Sequence, residues 1–147
     1  MNIYKELLKF IKKYPGTISF RLKEHCSVLE KHINPDEKIR YIFAGQKNNK
    51  SIGIPNTFVI ALTNKRLLLA RKRLLFGYFF YAITPDMFND IKVYSGILWG
   101  RIEIDAVKER TIISNISNDA LDEIETEITQ YMMEEKKKYS KGEKESH

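Results

Sequence analysis

The residues best suited to metal or nucleophilic chemistry in this chain are His25, Cys26 and His32. On a helix, adjacent His25 and Cys26 point about 100 degrees apart, and His25 to His32 spans about two turns. Neither spacing chelates an ion, and the third histidine, His147, stands at the far end of the sequence. No Ser or Cys can be paired by motif with a His and an acid. The seven glycines are scattered at turns, so neither a phosphate loop nor a dinucleotide fingerprint is present. The expectation is no catalytic residue, no metal and no cofactor, with Cys26 a buried member of a helical stripe.

Two other groups suit binding. Arg71-Lys72-Arg73, with Lys47 and Lys50 in an earlier loop, has the makings of a phosphate-binding rim, or is a solvated hairpin tip. Ile97-Leu98-Trp99, set between Gly96 and Gly100, offers Leu98 and Trp99 as an anchor for a partner or a wedge into lipid headgroups. Against that, Trp99 can fold back over the molecule. The similar Leu74-Leu75-Phe76-Gly77 favours two apolar segments that cover each other or a helix. Aromatics alternate with basic residues over 71–81, a pattern that imitates a nucleic-acid stacking platform, although in a strand core packing is the expected use.

Charge is unevenly spread. Residues 1–34 carry +4, 35–115 carry +6 and 116–147 carry −4, within a net charge of +6. A basic body suits an anionic partner, and a basic body with an acidic end suits equally a salt bridge between two parts of one fold. The single cysteine excludes an internal disulfide, and the N-terminus has no leader pattern, so a reducing, cytoplasmic setting is expected. Every long apolar stretch is broken by Lys65, Arg66, Arg71, Lys72 or Arg73, so membrane contact is expected to be peripheral, at the inner face.

The elements that must position these residues are legible from periodicity. Residues 2–14 form an amphipathic helix capped by Asn2, with Ile3, Leu7, Phe10 and Ile11 on one face. Pro15-Gly16 ends it, and a second helix from about Ser19 carries Leu22, Cys26, Leu29 and Ile33 to the stop at Asn34-Pro35. This helical arm, 1–35, can pack on its own chain or on another. From Asp36 the period becomes that of strands, and seven are expected between Lys38 and Ser114. Asn64-Lys65 marks the clearest hairpin, with Asn64 tolerating positive φ. Leu75 is expected to open the aromatic strand that runs to Ile83. A last helix follows Ser117 to about Lys138, ahead of a solvated tail, 139–147.

Seven antiparallel strands closed by one helix is a barrel-and-cap plan, since closure removes exposed sheet edges. The run Phe58-Val59-Ile60-Ala61-Leu62-Thr63-Asn64-Lys65-Arg66-Leu67-Leu68-Leu69-Ala70 resembles the bacterial pleckstrin-homology (PH) family often called YokE-like, as do Leu74-Leu75-Phe76-Gly77 and Tyr94-Ser95-Gly96-Ile97-Leu98-Trp99-Gly100-Arg101-Ile102-Glu103-Ile104. The resemblance covers about residues 37–135 and omits the arm. It implies an α+β, mainly β fold, a seven-stranded PH-like barrel capped by a C-terminal helix, preceded here by the helical hairpin. It also implies a binding module with no shared catalytic apparatus. The leading expectation is protein–protein contact or self-association; peripheral attachment to an anionic membrane is the alternative, and nucleic acid is disfavoured. Eukaryotic relatives that bind phosphoinositides carry a basic pair where the second strand opens, and here that position reads Asn56-Thr57-Phe58.

Overall fold

A computed structural model describes residues 2–47 and 56–145. Helix α1 spans Ile3–Lys13 and α2 spans Leu22–His32. The strands are β1 (Ile39–Lys47), β2 (Thr57–Thr63), β3 (Leu67–Lys72), β4 (Tyr78–Ile83), β5 (Phe88–Tyr94), β6 (Gly100–Ala106) and β7 (Arg110–Ile116), followed by α3 (Leu121–Glu145). All pairings are antiparallel, in the order β4-β3-β2-β1-β7-β6-β5. Asn2 caps α1 as its type requires, its side-chain oxygen accepting from the Lys5 N–H. α3 continues to Glu145, into the segment whose composition reads as a solvated tail.

The expected closed barrel is an open seven-stranded sheet with β4 and β5 as its edges. A single turn of 3-10 helix, Pro85–Met87, joins those two strands, and α3 packs on that turn and on β5. The helix covers apolar surface that a further ladder would otherwise bury. Among the described residues, β1 and β7 pair at Gln46↔Ser114 and Lys47↔Ile113. Their close approach explains Gly45, where a Cβ would collide with the Ile113 side chain.

Two apolar layers sit on opposite faces of the same strands. On the inner face, Phe43, Ile60, Leu62, Leu67, Leu69, Ile102, Ile104 and Ile113 pack with Leu121, Ile124, Ile128, Tyr131 and Met132 of α3. On the outer face, Ile3, Leu7, Cys26, Val28 and Leu29 of the arm pack on Ile42, Ala44, Val59, Ala61, Leu68 and Ala70. The arm therefore docks on its own sheet, and the three alanines leave room for its helices to approach. β2 is buried at every residue, so its sequence runs apolar without alternation, whereas β6 alternates because only one of its faces is covered. Phe10 of α1 reaches the inner layer beside Tyr14, Tyr41 and Phe43. Below it, Glu123 of α3 accepts from Lys13 and from the Tyr41 hydroxyl, tying arm, sheet and cap together.

The β2–β3 hairpin is held from outside. Thr63 donates its hydroxyl to Glu37 at 2.6 Å and accepts the Lys65 and Arg66 N–H groups. Arg66 completes a fork on Glu37 at 2.9 and 3.0 Å, and Lys65 pairs with Asp36. Asn64 does not take the positive φ expected of it; positive φ among the non-glycine residues described falls only at Arg21 and Asn115. Its side chain instead accepts the Lys38 N–H and donates to the Asp36 carbonyl, anchoring the approach to β1.

Removing residues 2–34 exposes the outer layer, so the truncated chain should lose solubility or change its mass by light scattering. Equal solubility with unchanged mass would show that the sheet does not need the arm. Burial alone pushes the Glu37 carboxyl up, but hydrogen bonds from Arg66, Thr63 and the Asn34 N–H outweigh it and hold its pKa below the ordinary 4.5. The stabilisation is therefore complete above that value and lost as pH falls through the lowered folded pKa. Glu37→Gln should cost about 3 kcal/mol at neutral pH, measured by urea unfolding, and the loss should shrink in acid.

Candidate functional site

The segment between the two arm helices is laid across the sheet by backbone hydrogen bonds. The Trp99 indole N–H donates to the Gly16 carbonyl at 2.9 Å, and the Ile18 N–H donates to the Asn115 carbonyl at 2.9 Å. The Ile18 carbonyl accepts from Gln46 at 2.9 Å, and the Phe20 N–H donates to the Thr57 hydroxyl at 3.1 Å. This strap delivers Arg21 to the end of β3, where its guanidinium donates to the Lys72 carbonyl at 3.3 Å. One turn later His25, buried, accepts the Lys72 N–H on Nδ1 at 2.9 Å.

Around this point the structure gathers most of the basic residues read from sequence. Arg71 donates to the Asn56 side-chain oxygen at 2.6 Å, and Asn56 in turn donates to the Lys47 carbonyl at 2.8 Å. The Lys47 ammonium lies 4.4 Å from the centroid of the Tyr81 ring and 5.3 Å from that of Phe58. Arg73 lies over Phe79, and its N–H closes the β3–β4 turn on the Gly77 carbonyl at 3.0 Å. Lys72 and Arg73 are exposed. Lys50 lies outside the described residues. Among the described residues, no carboxylate forms an ion pair with Arg21, Lys47, Lys72 or Arg73.

The groups in this cluster feel one another. Burial, then Arg21, then Arg73 push the Arg71 pKa below its ordinary 12.5. Burial first, then the charges of Arg21 and Arg71, push His25 from 6.5 down to about 4, with only Glu24 and a backbone hydrogen bond acting the other way. Arg21 was not anticipated as a site residue. It adopts left-handed backbone, φ 53, at the start of a helix, where both the conformation and a positive charge are disfavoured. Nothing in the local sequence signals its pairing with β3, 51 residues away.

The apolar tips do not cover each other. Leu74, Leu75 and Phe76 are 73, 82 and 83 % exposed, and Ile97 and Leu98 are 99 and 70 % exposed. The register explains this: the β3–β4 turn leaves the sheet beyond the C-terminal end of β1, and the β5–β6 turn leaves it beside the C-terminal end of β7, which runs the opposite way. β4 opens at Tyr78, later than the expected Leu75, because Gly77 at φ 75 forms the turn. Trp99 is 39 % exposed, with its indole N–H held by the Gly16 carbonyl. Of the aromatics over 71–81, Phe80 stacks on His32 and Tyr81 lies beneath Lys47.

Burial pushes the Cys26 thiol up to about 12, and among the described residues no three ligating side chains come together. A cleft of about 430 Å³ opens between β4 and the β6–β7 turn, lined by residues that include Tyr81, Ile83, Met87 and Ala106, with Lys108 and Glu109 beside them. No helix is long and apolar enough to cross a membrane, among the described residues.

Residues 33–130 match the family of bacterial PH domains. The chain belongs to that family. The match begins just past the end of α2 and ends within α3, so the bacterial PH domain here is the sheet with its cap, and α1 and α2 precede it. No curated protein and no solved structure matches the chain. A PH-like domain suggests a non-catalytic interaction module.

His25 is neutral in the fold at neutral pH, so its contribution to stability is complete above about 6.5 and is lost as pH falls toward 4. Titration followed by NMR should place its midpoint near 4, and Arg21→Ala should raise it. A midpoint near 6.5 in the intact protein would mean that neither burial nor the cations act on this ring.

Proposed function

We propose that this bacterial PH domain is a peripheral module that binds anionic membrane surfaces through the end of the sheet bearing Arg21, Lys47, Arg71, Lys72 and Arg73. The observation that carries this reading is the cluster itself: cations from the arm and from two strands converge without a paired carboxylate on Arg21, Lys47, Lys72 or Arg73, among the described residues. Like charges held together raise the local positive potential and are relieved by an anionic partner. Arg21 supports the reading further, since a strained backbone that directs charge to one spot marks a functional constraint.

The recognition is of charge density rather than of one headgroup. Where eukaryotic relatives place a basic pair, Asn56 and Thr57 are spent on Gln46, Lys47, Arg71 and Phe20. Each cation near an anionic leaflet contributes about 1 kcal/mol. The described cluster then supplies on the order of 5 kcal/mol, a dissociation constant of roughly 0.1 to 1 mM that weakens with salt. Within the family, the Leu62-Thr63-Asn64-Lys65-Arg66-Leu67 hairpin supports assignment to the YokE-like branch.

A protein partner or a second copy is the other reading, and it draws on exposed Ile97 and Leu98. The arm lies on its own sheet, so its buried faces are not open to a partner.

Co-sedimentation with vesicles of phosphatidylcholine alone, and mixed with phosphatidylglycerol, tests the proposal. Binding should require the anionic lipid, fall with rising salt, and be abolished in Lys72→Glu/Arg73→Glu, two exposed positions whose change leaves the core intact. No binding to anionic vesicles at low salt would overturn the membrane reading in favour of a protein partner.

A further inference from the structure

The turn that carries the cations also carries the most exposed run of large apolar residues among those described. Leu74, Leu75 and Phe76 follow Arg71-Lys72-Arg73 directly, are 73, 82 and 83 % exposed, and are continued by Tyr78 at 51 % and Phe79 at 40 %. Three consecutive apolar side chains at a hairpin tip are unfavourable in water and call for a use. The turn is shaped to project them: the Arg73 N–H to Gly77 carbonyl bond closes its neck, and Gly77 takes the positive φ that reverses the chain. The exposed tip directly follows exposed Lys72 and Arg73, with Arg21 bonded to the Lys72 carbonyl, so it suits a soft, negatively charged surface better than a preformed protein pocket.

We infer that Leu74-Leu75-Phe76 is a wedge that enters the acyl layer of an anionic bilayer while Arg21, Lys72 and Arg73 remain at the phosphates. The inference rests on the membrane reading above and deepens it. Charge alone leaves attachment near the millimolar range, and stable attachment of a peripheral protein takes a second signal, which buried apolar area supplies. The β5–β6 tip is a poor alternative wedge. Asn118 hydrogen-bonds Gly96 at its base in both directions, which sets the start of α3, with exposed Asp119 and Asp122, beside Ile97 and Leu98. Those carboxylates oppose an anionic surface. A second copy docked tip to tip would bring like charges together.

Trp99 is the sole tryptophan, which makes insertion readable by fluorescence. Phe76→Trp should shift to the blue and be quenched in phosphatidylcholine/phosphatidylglycerol vesicles with brominated acyl chains, whereas Trp99 in the wild type should not be. Leu74→Ser/Leu75→Ser/Phe76→Ser should melt like the wild type and lose about tenfold or more in vesicle affinity at physiological salt, while keeping a salt-sensitive attraction at low salt. Wild-type affinity in the triple variant, with an unquenched tip, overturns the wedge and leaves the charge-based reading standing. Failure of the wild type to sediment with anionic vesicles removes both. Quenching of Trp99 would assign the membrane to the other end. A concentration-dependent dimer that the triple variant abolishes would make the tip a contact between copies, and would likewise overturn the wedge.

Discussion

Everything in this molecule follows from the burial of β2 on both faces. A strand whose seven residues are all buried cannot belong to a two-layer sheet with one wet side. It needs a cover on each face, and the PH plan brings only one, the C-terminal helix. The other comes from the arm. Because Ala44, Ala61 and Ala70 face it, that cover lies close to the sheet, and its two short helices are stable through packing rather than through their own length.

The gathering of cations at this end of the sheet is a by-product of this cover. To pass from α1 to α2 the chain must cross the sheet where β1 meets β7, and it satisfies its backbone there on Asn115, Gln46 and Thr57. That crossing ends beside β3, so Arg21 and His25 arrive at Lys72 as a consequence of docking. The arm is outside the matched family region, yet it supplies one of the cations and the buried imidazole that braces β3. Changes to the arm therefore reach this cluster of cations.

What sequence alone conveyed divides along physical lines. Local periodicity identified both arm helices, the strands and α3, because amphipathic stripes and cap residues are written within a few positions of each other. The Asn64-Lys65 hairpin was visible for the same reason, although Asn64 serves through its side chain rather than through positive φ. Closure was misjudged, since nothing local says whether the edge strands meet. The basic rim was legible as a composition, whereas Arg21 was not, because its role depends on contacts across 51 residues. The exposure of Leu74-Leu75-Phe76 was misread for a similar reason: apolar type argues for burial, and only the register reveals that the other apolar turn is at the wrong end to cover it.

The two layers also differ in how much chain each one requires. The buried members of the outer layer all come from residues 3–70, so the arm and its landing strands form one contiguous block that precedes the rest of the sheet. The inner layer draws on residues from Phe10 to Met132 and lacks its lid until α3 exists. During synthesis the first block can close once β3 has emerged, long before the second has its final helix. The added arm thus converts a sheet of long-range pairings into one with an early, local folding unit, and shields one face of its most apolar strand while the rest of the chain is still being made.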